Sequence, residues 1–127
     1  GGYILTEPQG IKKALIIATG SELELARQTA TTLNKKGAGL SVISMPCIET
    51  FLRQSQNYRD QVLPPELDKR IAIEAGSRNN WYQFVGKSGL VLGIDTFGAS
   101  GPAPKLFEQF ALDSESCLKE ISRYLGH

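Results

Sequence analysis

Hydrophobic residues along this chain gather in short runs, separated by stretches in which apolar positions recur at helical spacing. Ala14 to Ala18 is apolar throughout, as expected of a strand covered on both faces. Leu40 to Ser44, Arg70 to Ala75 and Leu90 to Ile94 are rich in Ile, Val and Leu and read as further strands. Tyr3 to Thr6 is shorter and lies next to Pro8, which suits a sheet edge, because proline has no N–H to donate to a neighbouring strand.

The clearest helix runs from about Glu22 to Lys36. Leu23, Ala26, Ala30 and Leu33 fall at spacings of 3, 4 and 3 and form one buried stripe, while Glu22, Arg27, Gln28, Thr31 and Lys35 face away from it. Acid comes first and base last, as the helix dipole prefers, and Gly37 is placed to end the helix. Pro46 opens a short turn through Phe51 and Leu52. A second turn, Tyr58 to Leu63, stops at Pro64-Pro65.

After Ala75, Gly76-Ser77 starts a helix on which Trp81, Phe84 and Val85 share a face. Residues 97–104 are a loop by composition, and Lys105 to Phe110 and Ser114 to Leu125 read as closing helices. In the last of these Leu118, Ile121 and Leu125 lie on one side. Strands alternating with helices imply a mostly parallel sheet joined by right-handed crossovers.

Composition narrows the class. At 127 residues the chain is the size of one domain, and a mean hydropathy of −0.17 is that of an ordinary globular protein. The 14 basic and 13 acidic residues are scattered without a basic block, so neither a nucleic acid nor a membrane is expected as a partner. Gly1-Gly2-Tyr3 has neither the basic region nor the long apolar core of a signal peptide. Cys47 and Cys117 sit in no C-x-x-C or Cys/His cluster and read as reduced thiols of a cytoplasmic protein. The sole methionine is Met45, so the chain is expected to be a piece of a larger one. Its sole histidine, His127, closes a Leu-Gly-His ending that is either native or left by cloning.

Chemistry is sparse. Strand, Thr19-Gly20-Ser21 turn and helix N-terminus together could cradle an anion or a nucleotide. A dinucleotide fingerprint or a P-loop needs further glycines or a lysine at fixed spacing, and none is present. Ser21-x-x-Glu24 instead has the form of a capping box, whose reciprocal bonds use the donors an anion would want. Glu22 and Glu24 also repel negative charge. A structural cap is therefore the preferred reading, with an anion site as the alternative.

Glu74 and Asp95 each fall at the carboxyl end of an expected parallel strand, where open α/β sheets bind ligands. Paired carboxylates there could do acid–base work or hold a metal, but no histidine accompanies them. The plainer reading is that they cap or terminate their strands. Tyr82 points off the Trp81–Phe84 face and is an interface candidate. No G-x-S-x-G and no internal histidine support a nucleophilic serine.

Six stretches in order, GGYIL, ATGSELELA, VISMPCIETF, YRDQVLPPEL, AIEAGSRNNWYQFVG and GIDTFGASGPAPKLFEQF, resemble the C-terminal domain of transketolase from Gly1 to about Leu125. The resemblance implies a three-layer α/β/α fold, with a mostly parallel five-stranded sheet carrying one antiparallel edge strand. It implies that residues 1–127 are the third domain of a longer, homodimeric chain that moves a two-carbon ketol unit between sugar phosphates. Thiamine diphosphate and a divalent metal would bind in the other domains, and this one would hold no cofactor, metal or catalytic residue. Its role would be structural, dimer-stabilising or regulatory. The equivalent domain of another thiamine-dependent enzyme, such as a pyruvate dehydrogenase β chain, is disfavoured by Ser-Met-Pro and Thr-Phe-Gly. Excision from a longer chain should uncover apolar surface, expected at Tyr82, at the loop from Phe97 to Pro104 and at Met45 to Phe51.

Overall fold

The computed structural model describes residues 1–74, 81–86, 88–93 and 114–126, with the side chains of Ser21, Glu74 and Ser114 outside that description. Five strands, β1 (Tyr3–Thr6), β2 (Ala14–Ala18), β3 (Leu40–Ser44), β4 (Arg70–Glu74) and β5 (Leu90–Gly93), form one sheet in the order β1-β3-β2-β4-β5. The pairs β2–β3, β2–β4 and β4–β5 are parallel, and only β1 runs antiparallel, along β3 at the edge. The fold class expected from the sequence is the one observed.

Alternation along β2 explains its unbroken hydrophobicity. Ala14, Ile16 and Ala18 face a layer formed by α1 (Leu23–Asn34) and α5 (Ser114–Leu125), where Ala26, Ala30, Leu33, Cys117 and Ile121 are buried. Leu15 and Ile17 face the other layer, with α2 (Ile48–Leu52), α3 (Gln56–Val62) and α4 (Tyr82–Val85), and pack with Phe51, Val62, Trp81 and Phe84. Each fully buried Leu or Ile contributes roughly 1.5–3 kcal/mol. The central strand therefore anchors both cores.

The stripe expected on the first long helix is buried, and the helix ends where the glycine stands. Ala38 N–H donates to Leu33 O (3.2 Å) and Gly37 N–H to Asn34 O (3.0 Å), around Gly37 at φ +84°. This is a Schellman ending, which needs a left-handed residue at that point. The expected Lys105–Phe110 helix lies outside the described residues.

Candidate functional site at the carboxyl edge of the sheet

In chain order β2 is followed by β3 on one side, and β4 then pairs on the other side of β2. The crossovers thus lead in opposite directions along the sheet from β2 and from β4, and the carboxyl ends of such strands are where open α/β sheets leave a crevice for ligands. Thr19 and Gly20 follow β2 directly, and Glu74 ends β4, whose Ile73 pairs with Ala18. The backbone therefore brings Gly20, Ser21 and Glu74 to one edge on neighbouring strands. Asp95 and Phe97 lie outside the described residues, as does the loop to Pro104.

Gly20 adopts φ +57°, a conformation that costs an ordinary residue about 1–2 kcal/mol, although a Cβ there would meet no atom within 4 Å. Residues Gly20–Glu22 then form a 3₁₀ turn, and α1 begins only at Leu23, with Glu22 as its N-cap. The side chain of Ser21 lies outside the described residues, and with it the capping box expected from Ser21 and Glu24. Neither Thr19, the N-cap of the 3₁₀ turn, nor Glu22, the N-cap of α1, makes a capping bond with its own side chain. The 3₁₀ turn draws Ser21 inside the helical run, so Glu24 is no longer three residues past the α-helix cap. Its carboxylate instead takes Nε (2.9 Å) and Nη2 of Arg27 one turn along, and these bonds hold it below the usual carboxylate range.

Tyr82 opens α4 with its side chain 43% exposed, while Trp81, Phe84 and Val85 are buried as their spacing suggested. Phe84 packs edge-on to Phe51, with ring centroids 5.9 Å apart. In the stretch Met45 to Phe51, where apolar surface was expected, Pro46 and Cys47 are exposed and Ile48 is half-buried, but the large side chains of Met45 and Phe51 are each only 1% exposed. They fill the space between β3 and α4 instead of facing a missing neighbour. Among the described residues the large apolar side chains that are exposed are Tyr3, Leu5, Ile11, Leu52 and Tyr82.

The opposite edge holds what sequence reading missed. The Arg70 guanidinium, at the start of β4, donates to the carbonyls of Leu67 (2.9 Å), Phe84 (2.7 Å), Pro64 (2.8 Å) and Leu63 (3.3 Å). Burial holds it below its ordinary pKa, while Asp68 and Glu66 act the other way. Asn34 clasps the Leu40 backbone, donating from Nδ2 to its O (3.0 Å) and accepting its N–H at Oδ1 (2.6 Å). Beside it a groove of about 610 Å³ runs past Pro8, Ile11, Lys13, Lys35 and Gly37. An arginine at the head of a strand is the only sequence signal that could have marked Arg70.

The two thiols are free; Cys117 is buried, and Cys47 is exposed and held below its ordinary pKa by the hydroxyl of Thr50, which donates to Sγ (3.1 Å). Among the described residues no group of three His, Cys, Asp or Glu is placed to hold a metal, and no helix is long and apolar enough to cross a membrane.

A family model described as the transketolase-like TK C-terminal domain matches residues 1–113. This chain belongs to the transketolase C-terminal domain family. Transketolase 2 of Aliivibrio fischeri is 43% identical over 126 residues, which are 99% of this chain and 19% of that one. The Pichia stipitis transketolase solved with sedoheptulose-7-phosphate superposes with TM-score 0.77 at 32% identity, over 99% of this chain and 18% of its own. Transketolase from Campylobacter jejuni gives 0.76 at 33%, over 97% of this chain and 18% of its own. The chain therefore spans about a fifth of the length of the transketolases it matches, and further domains are implied.

Proposed function

We propose that residues 1–127 are a non-catalytic third domain of a cytoplasmic, homodimeric transketolase, and that this domain serves structure, dimer stability or regulation. The whole enzyme would transfer a two-carbon ketol unit between sugar phosphates, using thiamine diphosphate and a divalent metal held by its other domains. The observation that carries this reading is the match to a C-terminal domain over a fifth of the relatives' length. The sequence adds support, because it contains no Gly-Asp-Gly with a downstream asparagine and no histidine before His127.

Calorimetry of the chain with thiamine diphosphate and Mg²⁺, alongside a ketol-transfer assay, tests it. The expected result is no binding heat and no transfer. Micromolar cofactor binding would overturn the reading. Tyr82 and Phe97 are proposed to face neighbouring domains, so Tyr82→Ser should change the isolated chain's stability by no more than about 0.5 kcal/mol.

A second reading rests on the crossover reversal between β2 and β4: a regulatory site for a small anion or nucleotide at Gly20-Ser21, with Glu74 and Asp95 at its rim. Phosphate titration followed by amide NMR separates the two. Shifts centred on Gly20 to Leu23 favour the anion site, and silence there removes it.

A further inference from the structure

A second groove, of about 280 Å³, opens between α3 and α4, beside the Arg70 hub of the amino edge. Its walls include Phe51, Leu52, Leu63 and Phe84, and its charged lining is Arg59, Arg70 and Asp60. Arg70 gives four of its five N–H groups to backbone carbonyls and carries its charge without a bonded carboxylate among the described residues. Arg59 is less well served. Its Nη2 donates to Gln56 Oε1 (2.8 Å), and Gln56 Nε2 donates in turn to Asp60 Oδ1 (2.7 Å). The glutamine amide thus stands between arginine and aspartate, and neither guanidinium forms an ion pair among the described residues. Arg59 Nε is shielded from water and has no acceptor. A shielded donor without a partner costs about 1–3 kcal/mol, so a group that satisfied it would recover that cost.

We propose that this groove binds a small ligand with an anionic head and an apolar body, the head taking the unfilled donors of Arg59 and the body lying against Leu52, Leu63 and Phe84. The formal charge of the lining is +1, from two arginines and one aspartate, which favours an anion. The walls favour one carrying hydrocarbon over a bare ion. A turn of the Arg59 guanidinium toward the groove presents Nε and Nη2 side by side, the fork that suits a carboxylate or a phosphate, with Nη2 exchanging its bond to Gln56 for the ligand. Asp60 works against binding and keeps the site modest in affinity.

The test is a titration of the isotopically labelled chain, followed at the Arg59 Nε–H and at the amides of Leu63 and Phe84. Phenylacetate and phenyl phosphate serve as probes. Phenylethanol supplies the body without the charge, and inorganic phosphate the charge without the body. Saturable shifts centred on those three groups are expected with at least one of the two anions, and whichever binds tighter identifies the head. Both controls should be about tenfold weaker or more. Arg59→Gln should lose about tenfold in affinity, and Asp60→Asn, which keeps Arg59 and removes the opposing charge, should gain about twofold. The gain in Asp60→Asn stands as a test even if Arg59→Gln fails to fold. No response to either anion at millimolar concentration, equal binding of phenylethanol, or an unchanged affinity in Asp60→Asn would overturn the proposal.

Discussion

The two edges of the sheet are held in different ways. At the amino edge, side chains close the backbone. Arg70 gathers four carbonyls from the end of α3, the loop before β4 and α4, and Asn34 clasps Leu40. Lys13 reaches Gly37 O through Nζ (3.1 Å). At the carboxyl edge, the turn after β2 enters its helix through a 3₁₀ segment, and neither N-cap residue, Thr19 or Glu22, makes a capping bond with its own side chain. The carboxylate of Glu24, in the first turn of α1, is engaged by Arg27. Among the described residues, then, side chains close the amino ends of β3 and β4, while the turn after β2, at the end where α/β sheets bind ligands, is shaped by its 3₁₀ backbone.

That contrast makes unequal predictions. Arg70→Ala leaves several partly buried carbonyls without a donor and should cost about 3 kcal/mol in chemical denaturation, the largest single effect expected here. A loss below about 1 kcal/mol would mean that the amino edge does not depend on this hub. Asn34→Ala exposes both backbone groups of Leu40 and should cost about 2 kcal/mol. Its amide exchange should rise at Leu40 before it rises in β2.

At the other edge, Gly20→Ala strains a left-handed residue with open space around it. The cost should be about 1 kcal/mol, with no change in the packing of β2 by NMR. A cost as large as that of Arg70→Ala would erase the distinction between the edges.

The smallest effect concerns Glu7, beside the amino-edge groove. Burial works to raise its carboxyl, but bonds from Lys12 (2.8 Å) and Ser41 (2.9 Å) and the lysine charge outweigh burial and hold it below the usual range. Its unfolded form, with a pKa near 4.3, binds a proton more readily than the folded form. The contribution is therefore present above that pH and is lost as pH falls through the folded value. Glu7 is half exposed, so screening limits the effect to under about 1 kcal/mol. Glu7→Gln should lower stability slightly at pH 7 and make it less dependent on pH below about 5.

Local pattern carried most of the fold. Each strand read from the chain appears at its expected place over the described residues, because runs such as Ala14 to Ala18 must be covered on both faces wherever they pair. Gly37 ended its helix because few residues other than glycine tolerate that backbone. Where a helix cap falls depends on the residue at which the α-helix begins. A 3₁₀ turn shifted that point by one residue, to Leu23, without altering the sequence signature. Met45 and Phe51 were misjudged for a related reason, since no local pattern tells a core aromatic from an interface one.

The sequence alone therefore determined the strands, the long helices, their buried faces and the resemblance to a transketolase domain, all of which rest on residue order and short-range periodicity. Tertiary structure alone decided which strands are neighbours, and hence that the crossover reverses at β2 and β4. It also decided that Arg70 joins three separate segments and that Arg59 keeps an unanswered donor in a groove. These features depend on distances between residues far apart in the chain, which hydrophobic spacing does not encode.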